Sequence, residues 1–206
     1  MRIIETKAYQ FSELSEEAKQ RAIEWMRKSN DELGHYFTDE ALETLKDGCE
    51  AFNFKLANYS IDWSCPGRSS YRTTTRMDDE IVDGMSGARL YKYLVNNFSE
   101  IFWERKVIGN QYAHNGEKVS FRHSKIQKTD TCCPFTGVCY DEAFLDPFRK
   151  FLAKPDGSTF DGLIKEAIES VLSSVEKEID YRNADEALIE DIEANEYEFT
   201  ENGKII

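Results

Sequence analysis

The sequence is poor in proline and glycine, with four prolines and 11 glycines among 206 residues. These low counts argue against a fibrous or low-complexity protein. No run of eighteen apolar residues occurs, so no segment is predicted to span a membrane. The first residues, MRIIETKAYQF, lack the apolar core and small-residue cleavage site of a secretory signal. We therefore expect the protein to stay in the cytosol.

Sequence signatures of enzymes are missing as well. There is no Cys-x-x-Cys pair, which excludes a thioredoxin-like redox motif. Residues 84–87, GMSG, lack the Walker spacing and the Lys-Ser/Thr of a phosphate loop. The acidic segment 78–83 lacks the alternating ligands and central glycine of an EF-hand loop. The three histidines are scattered. We predict that the protein has no catalytic residues and is not an enzyme.

The charge of the chain is strongly unbalanced. The net charge is −13, and residues 159–206 alone contain 14 acidic and four basic side chains, a net charge of −10. Such a segment repels nucleic acid and phospholipid and attracts basic surfaces. Direct binding of nucleic acid is therefore disfavoured, unless the basic stretches 68–76 and 118–128 form a patch. The simpler role for acidic helices is to keep the protein soluble.

Hydrophobic periodicity predicts an α+β fold, in which helices pack on a small antiparallel sheet with hairpins. Helices are expected over 15–28, 39–52, 86–106, 141–157, 159–181 and 184–195. A strand at 53–63 and a β-prone segment at 70–77 form one hairpin. The Asn-Gly pairs at 115–116 and 202–203 predict two more, the first with strands over 106–113 and 118–126. We expect an α+β core over 1–158 and an acidic helical segment with a terminal hairpin over 159–206, packed on the same domain.

Several residues are predicted to cap these helices. Ser15 and Ser86 can accept a hydrogen bond from a free first-turn N–H. Asn183 with Glu186 resembles a capping box. In the helix near residue 147, Asp141 as cap would place Pro147 too late for the first turn, whereas Asp146 as cap would place it at the favoured first position.

Three of the five cysteines lie in the segment TDTCCPFTGVCYDE, residues 129–142. Zinc prefers four nitrogen or sulfur ligands, and the best candidate trio is Cys133, Cys139 and His123, with Cys65 as a further candidate. Cys132 is excluded from that trio, because adjacent residues in an extended backbone point to opposite sides. We favour a structural interpretation, in which PFTG forms a turn and the cysteines pack as small apolar residues near Phe135 and Phe144. No cofactor is then expected, and zinc is the alternative.

Several segments, taken together and in order, resemble a broad group of uncharacterised phage and prophage accessory proteins. They are YQFSELSEEAKQRAIEWMR, DEALETLKDGCEAFNFKLANYSID, CPFTGVCYDEAFLDPFRKFL and IEANEYEFTENGKII. The resemblance implies an origin in a mobile element but no reaction. Small acidic phage proteins without enzyme motifs are often similar to factors that disable host defence, such as anti-CRISPR or antirestriction proteins.

These observations favour a non-enzymatic, phage-encoded protein in the host bacterial cytosol, which binds and inhibits a bacterial defence or nucleic-acid-processing complex. An acidic surface would meet a basic one as a nucleic-acid mimic. The expected contact residues are Glu186, Glu190, Asp191, Glu193, Glu196 and Tyr197. The alternatives are a small zinc- or thiol-dependent enzyme built on Cys133, Cys139 and His123, and an antitoxin-like neutraliser of a toxin. Tyr59, Trp63 and Phe199 are further aromatic candidates for an interface.

Overall fold

The computed structural model describes residues 7–33, 35–75, 82, 84–109, 112–114, 117–119 and 124–206. The fold is α+β, as the sequence predicts. The described part of the chain contains seven α-helices: α1 (Glu16–Leu33), α2 (His35–Ala51), α3 (Gly87–Asn97), α4 (Ser99–Phe102), α5 (Tyr140–Ala153), α6 (Phe160–Arg182) and α7 (Asp185–Ala194). It also contains eight strands: β1 (Tyr9–Gln10), β2 (Phe54–Ser60), β3 (Ser70–Thr75), β4 (Trp103–Gly109), β5 (Tyr112–His114), β6 (Glu117–Val119), β7 (Ser124–Asp130) and β8 (Glu198–Phe199).

The described strands form antiparallel pairs. β2 pairs with β3, which confirms the predicted hairpin with a long loop. Strand β4 pairs with β7, and β5 pairs with β6, so described parts of the predicted strands over 106–113 and 118–126 are confirmed. Residues 110–111 and 120–123 lie outside the described residues. The Asn-Gly pair at 115–116 lies outside the described residues. β1 pairs with β8, bringing the first and last strands together.

Contacts between residues divide the described chain into two compact units. Unit 1 comprises the described residues of Met1–Asp39, Trp63–Cys65 and Val175–Ile206. Unit 2 comprises those of Glu40–Asp62 and Pro66–Ser174. The two units divide inside α2, between Asp39 and Glu40, and inside α6, between Ser174 and Val175. The domain boundary at 158/159 stays a prediction.

Helix α1 begins as predicted. The Ala18 N–H donates to the Ser15 hydroxyl oxygen at 3.3 Å, so Ser15 is the N-cap, and Glu16 and Glu17 occupy the first turn. The helix continues to Leu33, beyond the end predicted at Arg27 and Lys28. The basic residues Arg27 and Lys28 predict the last turn of this helix, but the Arg27 guanidinium instead pairs with the Asp185 carboxylate at 2.5 Å.

The core of unit 1 joins the two ends of the chain. Ala18, Ala22, Ile23 and Met26 of α1 pack in one buried cluster with residues of α7 and β8. The other buried members of that cluster are Phe11, Leu14, Leu188, Ile192 and Phe199. Because these residues come from distant parts of the sequence, unit 1 requires both ends of the chain to fold.

The core of unit 2 is built from phenylalanines. The ring of Phe52, at the end of α2, stacks on that of Phe148 in α5, with centroids 4.4 Å apart and planes 8° apart. Phe98, Phe102 and Phe160 also contact the Phe52 ring. Aromatic side chains bury large apolar areas, so this cluster accounts for much of the burial in unit 2.

The prediction that Asp146 caps a helix with Pro147 in its first position is wrong. Helix α5 begins at Tyr140, and Pro147 lies inside it, where it cannot donate a backbone hydrogen bond. The Asp146 carboxylate instead pairs with Lys150, one turn later, at 2.6 Å. The helix continues through the proline because Phe144, Leu145, Phe148 and Phe151 are buried on one face.

Two other predicted caps differ in the structure. Ser86 does precede α3 in an extended conformation, but its side chain makes no capping bond. The capping box of Asn183 and Glu186 is wrong, because α7 starts after Ala184 without a side-chain cap. The carbonyl oxygen of Asn183 instead accepts a bond from the Arg27 guanidinium at 3.3 Å.

The C-terminal hairpin predicted at Asn202-Gly203 is confirmed. Thr200 and Lys204 bond through their backbones at 2.8 Å, and Phe199 bridges to Ile205. Gly203 has a φ of +77°, and a Cβ there would lie 2.1 Å from the Ala18 carbonyl oxygen. The hairpin therefore approaches α1 more closely than any side chain permits. Within the described ranges, no helix is both long and apolar enough to cross a bilayer.

Substitution Gly203→Ala should destabilise the protein by at least about 2 kcal/mol, because it adds backbone strain and a clash with α1. Urea unfolding followed by circular dichroism measures this loss. Gly157→Ala is the control, because Gly157 has no neighbour within 4 Å. Equal midpoints for the two variants would contradict the close approach.

Candidate functional site

The cysteine-containing segment is a turn organised by one buried carboxylate. Asp141 is fully buried, and its Oδ2 accepts backbone N–H bonds from Phe135, Thr136 and Gly137 at 2.8, 3.0 and 3.2 Å. Its Oδ1 accepts the hydroxyls of Thr136 at 2.8 Å and Thr44 at 3.0 Å. Because Thr44 belongs to α2, the carboxylate joins the turn to that helix. The predicted PFTG turn is confirmed, with Gly137 at a φ of +85°.

The cysteines of this turn are not packed as predicted. Cys132 and Cys139 are exposed and Cys133 is half-buried, whereas only Cys49, in α2, is fully buried among the cysteines. The turn positions them at its surface because its interior is filled by the Asp141 hydrogen bonds. Burial raises the pKa of the Cys49 thiol to about 12. Burial and the nearby Asp141 carboxylate also raise the pKa of Cys133, which disfavours its reactive thiolate form.

The predicted zinc ligands are only partly described. Cys133 and Cys139 lie at opposite ends of the turn, and His123 lies outside the described residues. Among the described residues, no group of three or more His, Cys, Asp or Glu side chains could hold a metal ion. Zinc binding by the trio that includes His123 stays a prediction.

Helix α7 presents three of the predicted contact residues on one face. Glu186, Glu190 and Glu193 are exposed and follow one another at helical spacing. Leu188 and Ile192 are buried on the opposite face. Glu186, Glu190 and Glu193 surround a shallow depression, with Ile189 and Ala194 also lining it. We call these three glutamates the acidic face.

The other predicted contact residues are placed differently. Asp191 is exposed on another side of α7, where its carboxylate accepts a bond from the Asn195 amide at 2.9 Å. Tyr197 is half-buried, and its ring packs edge-on against Trp25 at 6.3 Å. Glu196 is exposed and has a φ of +52°, at the helix end where glycine is usually preferred. A non-glycine residue in this conformation costs about 1 kcal/mol or more.

A second surface feature lies beside the acidic face, in unit 1. Tyr181 and Arg182 of α6 and Ala187, Glu190, Asp191 and Ala194 of α7 line a groove. We call it the α6–α7 groove. Tyr181 is 65% exposed, the most exposed large apolar or aromatic side chain of the described residues.

Tyr181 is not among the contact residues predicted from the sequence. The available signal was its position in the last turn of α6, two residues beyond Ile179, where the apolar stripe ends. Two aromatic residues that are predicted from the sequence are more buried than Tyr181: Phe199 is fully buried and Tyr59 is 39% exposed. The Lys46 ammonium lies 5.5 Å from the Tyr59 ring centroid. The basic stretch 118–128 lies outside the residues whose side chains are described.

Comparison of the chain with family models, curated proteins and solved structures found no match in any of the three. Proposals about its function must therefore rest on the chain's own geometry and charge.

Asp141→Asn should destabilise the protein by about 1–3 kcal/mol, because a neutral amide oxygen accepts the three backbone N–H bonds more weakly than a carboxylate does, and the amide NH₂ replaces the acceptor of the Thr44 and Thr136 hydroxyls. The loss is measured by urea unfolding. Asp146→Asn is the matched control and should cost less than about 1 kcal/mol, since it breaks only a surface ion pair. Similar losses in the two variants would show that the turn does not depend on Asp141.

Alkylation by iodoacetamide at mildly alkaline pH should modify Cys132 and Cys139 first, Cys133 more slowly and Cys49 only after unfolding. The order follows from exposure and from the raised pKa values of Cys133 and Cys49, because only the thiolate reacts. Peptide mapping by mass spectrometry gives the rates, and the same reaction in urea is the control. Rapid modification of Cys49 in the folded protein would contradict its burial.

Proposed function

We propose that this chain is a non-enzymatic protein of phage or prophage origin that binds a bacterial defence or nucleic-acid-processing complex and blocks it. Contact would be made by the acidic face of α7, which takes the place of a nucleic acid on a basic surface. The host cytosol is the proposed location, because such complexes operate there.

The observation that carries this proposal is the arrangement of charge on α7. Glu186, Glu190 and Glu193 all point away from the buried residues Leu188 and Ile192. Within the described part of the chain, none of the three side chains forms an ion pair or a hydrogen bond. Glu186 also lies in the first turn of α7, where a negative charge is favourable, and all three carboxylates are free to meet a partner's cations.

The surrounding charge strengthens this attraction. Residues 159–206 carry a net charge of −10, so a basic partner would be steered towards this part of the chain. Nucleic-acid-binding grooves are rich in Lys and Arg, which neutralise phosphates when the nucleic acid is bound. The same charge opposes direct binding of DNA or RNA to these residues.

Glu196 adds a carboxylate near the acidic face at a strained backbone position. It occupies a left-handed position next to the acidic face, where a glycine would relieve strain. Strained backbone positions occur preferentially at functional sites, so the φ of Glu196 supports an interface there.

The alternative is a small zinc- or thiol-dependent enzyme around Cys133, Cys139 and His123, and the observation behind it is the exposure of Cys139 on the turn. The raised pKa of Cys133 weakens that alternative, since a nucleophilic thiol needs a lowered pKa. An antitoxin-like role uses the same surface physics as the inhibitor, and only the identity of the partner separates the two.

The proposal is tested by capture of a partner from bacterial lysate, with the tagged chain and with and without nuclease. We expect one nucleoprotein complex, whose protein component remains after nuclease treatment and is displaced by added DNA or RNA. Mass spectrometry identifies it. If no protein is retained, the inhibitor proposal is overturned, and zinc analysis of the same purified sample tests the enzyme alternative.

A matched pair of charge reversals tests the acidic face itself. Glu186→Lys, Glu190→Lys and Glu193→Lys together should weaken capture at least about tenfold, by loss of attraction and gain of repulsion. The control triple is Glu40→Lys, Glu43→Lys and Asp47→Lys, three exposed acids at similar spacing on α2. Both triple variants change the net charge equally. If both lose capture equally, capture depends on the net charge of the protein, and the proposed role of the acidic face is wrong.

A further inference from the structure

We propose that the α6–α7 groove binds an arginine side chain of the basic partner, with its guanidinium stacked on Tyr181 and facing the carboxylates of Glu190 and Asp191. This inference rests on the proposed function, because it specifies the chemistry of the same partner.

The ring of Tyr181 is available for stacking. The side chain is 65% exposed, and in the described part of the chain no cation or other ring contacts it. An exposed tyrosine at a helix end leaves a large apolar face in water, and tyrosine is enriched in the centres of protein interfaces. A planar cation placed over the ring would cover that face and interact with its negative quadrupole.

The groove carries uncompensated negative charge. Arg182 is the basic side chain in its lining, and its Nε donates to Glu178 at 2.6 Å while its guanidinium lies 5.2 Å from the Phe37 ring centroid. Its charge is therefore already used by Glu178 of α6 and the Phe37 ring of α2. Glu190 has no partner among the described residues, and Asp191 is bonded through its side chain only to the neutral Asn195 amide.

The floor of the groove leaves room for a side chain. Ala187 and Ala194 lie two turns apart on the stripe of α7 that lines the groove, with Glu190 and Asp191 between them. Methyl side chains at these positions cover the α7 backbone thinly. The aliphatic part of a long basic side chain can lie on the two alanines while its charged end reaches the carboxylates.

This combination favours arginine over lysine. The guanidinium is planar, stacks on aromatic faces and donates two parallel hydrogen bonds to a carboxylate. The lysine ammonium is a compact, strongly hydrated charge that gains less from an aromatic ring at an exposed site. The acidic residues alone would not discriminate between the two, so the preference for arginine depends on Tyr181.

This inference is tested on the full chain by isothermal titration calorimetry, with octa-arginine and octa-lysine peptides at physiological salt. We expect octa-arginine to bind more tightly, and Tyr181→Ala to weaken it about two- to fivefold while leaving octa-lysine almost unchanged. Tyr181→Phe should retain the preference, because it keeps the ring. Tyr91→Ala is the control, since Tyr91 is exposed on α3, in unit 2, and its loss should change neither affinity.

Equal affinities for the two peptides would contradict the proposal that the α6–α7 groove binds arginine. The same holds if the Tyr181→Ala variant binds octa-arginine as tightly as the unchanged protein does. If the α7 charge reversal then still abolishes partner capture, the proposed function stands without it. The opposite result is also possible to distinguish. If the preference for arginine depends on Tyr181 but the protein captures no partner that DNA or RNA displaces, the groove proposal stands and the proposed function is overturned.

Discussion

Packing of Leu188 and Ile192 against α1 is the interaction on which the candidate surface depends. These two residues are buried with Ala18, Ala22 and Ile23, and each contributes about 1.5–3 kcal/mol by leaving water. Once they face inward, the 3.6-residue period of the helix fixes the outward direction of the glutamates on the other side. A salt bridge between Arg27 and Asp185 at the start of α7 holds the same helix in register. The acidic face is thus a consequence of the apolar one.

In unit 2, a comparable constraint comes from a single carboxylate. A turn that contains three cysteines within eight residues suggests a metal that crosslinks it, but Asp141 already accepts four hydrogen bonds within the turn and a fifth from Thr44 of α2. A buried carboxylate is tolerated only when its lone pairs are satisfied, and here both oxygens are. The thiols remain at the surface of a turn whose shape does not require them. The carboxylate that stabilises the turn and the exposed thiols therefore lie only a few residues apart in the sequence.

Sequence patterns predicted the parts of the fold that depend on local rules. The long apolar stripe of α6, the Ser15 cap and the Asn-Gly turn at residue 202 all follow from interactions within a few residues, and all are observed. Errors occurred where a distant residue competes with the local rule. Arg27 binds near the start of α7 instead of ending α1, and the aromatic core carries α5 through Pro147.

The candidate site shows the same limit. Helical spacing places Glu186, Glu190 and Glu193 together, because one helix suffices to bring them to one face. Tyr197 was grouped with them by proximity in sequence, but its ring is directed to Trp25 by contacts across unit 1. The α6–α7 groove requires two helices to meet at a turn without a side-chain cap, and no local pattern indicates that geometry.

The pairing of β1 with β8 and of α1 with α7 has a consequence for synthesis of the chain. Arg27 and Asp185 are 158 residues apart, and ribosomes add about 5–20 residues per second, so α1 emerges roughly 8–30 s before its partner helix. During that interval its apolar face, with Ile23 and Met26, has no α7 to cover it. Residues assigned to unit 2 are made in between and can begin to fold first. The nascent chain therefore presents an amphipathic helix to chaperones for many seconds, and the acidic face of α7 forms only after that interval.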